Sequence, residues 1–146
     1  MLCDIFELER INMKLTGATK MDVFTELVET AAASNPDLDR QKMLESVILR
    51  ENKMHTLILP GIAIPHGYSN TVSGIIGAIG YSQIGIEYDD NNLVHLLFLL
   101  VMDEKSREQH LRVLAKLLEL LKSAAFAKFR KDRSSRQEWY DLICRF

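Results

Sequence analysis

Cysteine is scarce in this sequence: Cys3 and Cys144 stand at opposite ends and form no CxxC pair. Neither a disulfide framework nor a thiolate metal site is indicated, so reduced, structural thiols are expected. Positive charge is not in surplus either. Eighteen Lys and Arg against 20 Asp and Glu give a formal net charge of −2, and the cations are scattered among the carboxylates, which disfavours a nucleic-acid partner. No apolar run approaches the roughly 20 residues that cross a bilayer. The start, MLCDIFELER, lacks the basic-then-apolar layout of an export signal, so a cytoplasmic location is expected. Also missing are a GxxxxGK[ST] phosphate loop, an HExxH metal pattern, internal repeats and Gly/Ser-rich linkers. The glycines of GIIGAIG are spaced GxxGxxG, unlike the dinucleotide fingerprint, and point to close packing along a strand.

What remains is a chain of 146 residues, 47% hydrophobic and 26% charged, enough for one core and short for two, so one domain over residues 1–146 is expected. Val23, Phe24, Leu27, Val28, Ala31 and Ala32 recur at helical spacing behind a Thr19 cap, predicting a helix from about Lys20 to Ala33. SNPD then breaks the pattern, and Met43, Leu44, Val47 and Ile48 restart it in a second helix capped near Asp37 and running toward Arg50 and Glu51. From Thr56 the run TLILPGIAIPHG holds two prolines and two glycines, which suits a short strand leading into a shaped loop. Gly74 to Ser82 and Leu93 to Met102 read as strands, the second apolar enough to be central and covered on both faces. Leu111, Leu114, Leu117, Leu118 and Leu121 mark the longest helix, and Trp139, Leu142, Ile143 and Phe146 a terminal one. Strands alternating with helices imply a layered α/β fold.

Four histidines are the candidates for chemistry. His66 follows Pro65, whose fixed φ limits the backbone, and precedes Gly67, which has no side chain to shield the ring. An imidazole with one nitrogen pinned by a hydrogen bond presents the other's lone pair to a substrate; the same residues could equally just close a surface turn. His110 opens the leucine helix beside its buried stripe, near free backbone N–H groups that favour an anion, or else it is a packed, hydrogen-bonded residue. Arg50 ends the second helix, where its guanidinium matches phosphate oxygens or is simply a solvated helix-end cation. His95, inside LVHLLFLLV, is expected to be structural with a hydrogen-bond partner, and His55 to be solvated or part of a turn.

RENKMHTLILPGIAIPHG (Arg50 to Gly67), followed later by QHLRVLAKLLELL (Gln109 to Leu121), resembles the fructose/mannitol type of phosphotransferase system IIA domains, the nitrogen-regulatory IIA proteins among them. The matching positions are Arg50, Glu51, Thr56, Gly61 to His66, and His110 to Leu117. The resemblance implies a mixed sheet flanked by helices on both faces in one compact domain, with the active histidine on a loop at the sheet edge. It implies that His66 takes phosphate from the carrier HPr or its nitrogen-system counterpart and passes it to a IIB partner, with His110 and Arg50 contacting the phosphoryl group. Glu51, Thr56, Pro65 and Gly67 would be supporting residues. Ile62, Ile64 and Tyr68 would rim an apolar docking surface.

By the same resemblance the only group carried is the covalent phosphate on histidine, without metal or nucleotide, and a membrane is met only indirectly through a IIC permease. Neither cysteine sits in the Gly/Ser-rich loop a phosphocysteine would use, which argues against a fused IIB function. The chain departs from the family pattern in lacking glycines around Thr56 and a basic residue in GYSN after His66. A regulatory protein whose phosphorylation state is read by partners is the alternative to sugar transport. A metal hydrolase built on His66, His95 and His110 is a weaker one, having no recognisable acidic ligand pattern.

Overall fold

The computed structural model describes residues 1–89, 91–131 and 135–146. Helix α1 (Lys20–Ala32) starts where expected, because Thr19 Oγ1 accepts from the Asp22 amide while Asp22 returns a carboxylate to the Thr19 amide. Helix α2 (Arg40–Glu51) starts later than expected: its cap is Asp39, which accepts from Lys42 N at 3.0 Å. Asp37 is drawn into a turn instead, its amide donating to the Asn35 side chain.

Among the described residues, six strands form a mixed sheet ordered β1-β5-β6-β3-β2, with β4 also paired to β6. They are β1 (Ile11–Asn12), β2 (Leu57–Leu59), β3 (Ile62–Ala63), β4 (His66–Tyr68), β5 (Ile75–Asp89) and β6 (Asn92–Met102). β6 is central, antiparallel to β5 and parallel to both β3 and β4. Its near-continuous apolar run is explained by cover on both faces. Leu96, Phe98, Leu100 and Met102 pack with Leu117, Leu120, Trp139 and Phe6, whereas Leu97, Leu99 and Val101 pack with Phe24, Leu27, Met43 and Val47. The helices therefore lie on both faces, α1 and α2 on one, α3 (Arg107–Lys122) and α5 (Arg136–Ile143) on the other.

β5 runs past Ser82, the end that sequence indicates, to Asp89. Gly85 at φ +88° creates an irregularity between Tyr81 and Ile86, and Ser82 Oγ accepts its amide at 3.0 Å. Pairing with β6 then resumes, and Ile86 and Tyr88 return to the core. A further helix, α4 (Ala124–Lys131), which the apolar spacing did not single out, begins where Ser123 Oγ accepts from the Phe126 amide. The two cysteines, remote in sequence, come together, and burial with the Cys3 thiol pushes Cys144 up to about 11, which keeps it protonated. Among the described residues no helix is long and apolar enough to cross a membrane.

Candidate active site

The site gathers at the C-terminal end of β6, where β4, the last turn of α2 and the first turn of α3 meet. β4 is held in register there by Leu100 N donating to the Pro65 carbonyl at 3.0 Å, with His66 opposite Leu100. β4 also lies hard against α2: a Cβ added to Gly67 would fall 2.5 Å from the Ser46 backbone carbon. Close approach, rather than unshielding of His66, is thus what glycine supplies here. The β6-to-α3 corner is fastened by Asp103, which accepts from Ser106 Oγ at 2.6 Å and from the Gly74 amide at 2.9 Å. The Ser106 hydroxyl and the Gly74 amide hold that carboxyl below its usual range.

His66 is half-buried, and its Nδ1 lies 2.8 Å from the Ile64 carbonyl. A carbonyl can only accept, so Nδ1 carries the hydrogen and Nε2 the lone pair. Burial lowers the His66 pKa, opposed by the Ile64 carbonyl; the nearby Arg50 guanidinium lowers it further and Glu51 raises it. The ring therefore favours the neutral form, with the lone pair on Nε2.

His110 sits in the first turn of α3, 5% exposed, with its ring centroid 5.1 Å from that of His66. Its Nδ1 lies 3.3 Å from the Tyr68 hydroxyl, whereas Nε2 is buried and has no hydrogen-bond partner. Burial first, and His66 second, bring its pKa down to about 4, so it too is neutral. An orphaned buried nitrogen costs about 1–3 kcal/mol, a cost that makes sense where a ligand completes the bond. Arg50, in the last turn of α2, is braced by its Nη1 donating to the Met54 carbonyl at 2.8 Å.

Behind these groups lies a buried polar network. Glu51, 7% exposed, accepts from Thr56 N at 3.1 Å and from Thr56 Oγ1 at 2.6 Å. Because that hydroxyl hydrogen goes to the carboxylate, the Tyr88 hydroxyl at 2.7 Å must donate to Thr56. Burial pushes the Tyr88 phenol well above its usual range, so it remains a donor. Lys20 Nζ closes the network at 2.9 Å from Glu51, 3.0 Å from His55 Nδ1 and 3.2 Å from the Tyr88 carbonyl, using all three of its donors. Thr56 connects this network to the site, since its carbonyl accepts from Ile64 N at 2.9 Å and Ile64 in turn holds His66.

Of the residues picked from sequence, the structure brings together His66, His110, Pro65 and Gly67, sets Arg50 beside them, and places Glu51 and Thr56 as their buried support. Ile62 and Ile64 do not rim a docking surface: they are 1% and 3% exposed, because their strand segment faces the core under α3. Tyr68, the third candidate, is exposed, as are Leu49 and Leu111. His95 is engaged elsewhere, with Nδ1 at 2.9 Å from the Ser82 carbonyl and its ring against Gly85. His55 is half-exposed but joined to Lys20. Among the described residues no three His, Cys, Asp or Glu side chains converge to hold a metal. Lys20 and Tyr88 were missed, since nothing local marks partnerships with Glu51 and Thr56 made across 31 and 32 positions of chain.

Residues 4–145 match the family model described as "Phosphoenolpyruvate-dependent sugar phosphotransferase system, EIIA 2", and the chain belongs to that family. It is 30% identical to part of the fructose-specific EIIABC component of Bacillus subtilis, aligning over 91% of this chain but only 21% of that much longer relative. It is 31% identical to a nitrogen regulatory protein of Bradyrhizobium diazoefficiens, over 97% of this chain and 94% of the relative. Nitrogen regulatory protein IIA-Ntr from Neisseria meningitidis superposes with a TM-score of 0.83 at 26% identity, over 97% and 98% of the two chains.

Proposed function

We propose that His66 Nε2 accepts a phosphoryl group from the phosphohistidine of HPr, or of its nitrogen-system counterpart, and passes it to a IIB protein or domain. The observation that carries this is the 2.8 Å bond from His66 Nδ1 to the Ile64 carbonyl, which leaves Nε2 as the nucleophile. As the N–P bond of the donor breaks and the new one forms in line, negative charge spreads over the equatorial oxygens. Arg50 and an Nε2–H on His110 supply donors to those oxygens. The positive charge that develops on the His66 ring is met at Nδ1–H by the Ile64 carbonyl. Because the new bond is again a phosphoramidate on imidazole, the group can leave as readily as it came. This scheme uses no metal or nucleotide, places the protein in the cytoplasm, and couples it to a membrane only through a IIC permease.

Incubation with phosphoenolpyruvate, enzyme I and HPr is expected to give an acid-labile, alkali-stable phosphate that disappears in His66→Ala. Label that persists in the variant contradicts the assignment. A second outcome for the same phosphate is regulatory, since relatives named as nitrogen regulatory proteins are matched over most of their length, as is a fructose-specific EIIA component. Rapid dephosphorylation by a IIB partner supports transport. Stable retention with altered affinity for a regulatory protein supports signalling.

A further inference from the structure

His110 presents a problem of hydrogen placement. With its pKa at about 4 it carries one ring hydrogen at neutral pH, not two. Its buried Nε2 is the nitrogen without a partner, and only the tautomer with hydrogen on Nε2 offers a donor there. In the other tautomer Nε2 would turn a lone pair on the incoming phosphoryl oxygens.

We propose that Tyr68 is a positioning residue of the transfer site: its hydroxyl donates to His110 Nδ1 and so selects the tautomer that carries hydrogen on Nε2. The proposal rests on the transfer role given to His66 and His110 above. Four features of the structure support it. First, the hydroxyl oxygen lies 3.3 Å from Nδ1, and the two rings meet edge to face with centroids 6.0 Å apart. Second, Tyr68 stands two positions after His66 on β4, so strand alternation puts both side chains on one face, and His110 touches both rings. Third, the Tyr68 ring is also held by the Arg107 guanidinium, 5.0 Å from the ring centroid, and Arg107 is itself tied to Glu104. Fourth, the backbone of Tyr68 is fixed by pairing opposite Met102. Tyr68 touches no reacting atom in this scheme; it acts through His110, as the outer hydrogen-bond partner of a metal-bound histidine sets which ring nitrogen is used.

Tyr68→Phe keeps the ring and removes the donor. Nitrogen-15 NMR of the histidines, taken without phosphate, should show His110 with hydrogen on Nε2 in the unaltered protein. In Tyr68→Phe it should show a mixture of tautomers at an unchanged melting temperature. Transfer from phospho-HPr should slow about 10-fold, and in a His110→Ala background Tyr68→Phe should slow it no further. Hydrogen on Nδ1 in the unaltered protein, or a tautomer and rate indifferent to the hydroxyl, overturns the proposal. So does a rate loss of equal size with and without His110. The two failures are distinct: an unaltered chain that takes no phosphate overturns the transfer role, whereas a normally phosphorylated chain with a hydroxyl-independent tautomer overturns the role of Tyr68.

Discussion

Among the four histidines, what separates His66 and His110 from His55 and His95 is that they share one site, with ring centroids 5.1 Å apart. His95 gives Nδ1 to Ser82 within the sheet, and His55 is drawn to Lys20 and Glu51 at the protein surface. His66 and His110 each spend one nitrogen on a fixed partner and keep the other in a partly dehydrated site shared between them. Burial makes protonation of either unfavourable, and for His110 the neighbouring His66 adds to it, which has a consequence for stability. His110 falls from the ordinary 6.5 to about 4 on folding. The unfolded chain therefore takes up the proton first, and stability that is complete above pH 6.5 is lost as the pH falls toward 4. At ~1.4 kcal/mol per unit, the loss from this residue is about 3 to 4 kcal/mol at most. Urea unfolding of the protein and of His110→Gln at pH 7 and pH 4.5 isolates it: the variant should lose less stability on acidification, and an equal or greater loss would contradict the account. The sequence made His66 and His110 visible because each sits at a punctuated position, after Pro65 and at the head of α3. It could not show which nitrogen each leaves free, since Ile64 and Tyr68 act through a carbonyl and a hydroxyl that spacing does not locate.

At the scale of elements, β4 and α2 must be considered together, because the strand carrying His66 is pressed against the helix that carries Arg50. Gly67 makes this approach possible. A methyl group there would meet the Ser46 backbone carbon and Oγ at 2.5 Å, and backbone cannot rotate out of the way. Gly67→Ala is expected to cost about 1–3 kcal/mol in thermal unfolding and to slow phosphoryl transfer, since β4 and α2 must separate. A variant with unchanged melting temperature would show that the contact is looser than described. α1, β6 and α3 were legible because their apolar residues repeat at the period of the element they form, and β6 also because an unbroken apolar run needs cover on two faces. The second half of β5 was not. Its SQ and Gly85 resemble an ending, and only pairing with β6 carries the strand across the irregularity to Ile86 and Tyr88. The start of α2 was misplaced for a similar reason, as Asp37 and Asp39 are both able caps and the Asn35 turn decides between them.

Over the whole molecule, three segments far apart in sequence converge on one end of β6, and the sheet topology rather than local spacing unites them. The layered α/β fold was foreseeable from the order of periodic segments, and helices on both faces from the family resemblance; the place of β4 off the main strand order was not. The Lys20–Glu51–Thr56–Tyr88 network couples α1, the end of α2 and the far end of β5 behind the site, and the Thr56 carbonyl connects it to Ile64 and thence to His66. A net charge of −2 gives little long-range attraction to a partner of either sign. Under the proposed transfer role, recognition by carriers would fall to the surface at the site, where Tyr68, and Leu111 next to His110, are exposed. The account as a whole depends on which atom takes the phosphate. Phosphorus–nitrogen coupling in the NMR spectrum of the nitrogen-15 histidine-labelled phosphoprotein reads this directly: the account predicts one phosphate, bonded to His66 Nε2 with hydrogen retained on Nδ1, and phosphate on Nδ1 or on any other histidine would contradict it.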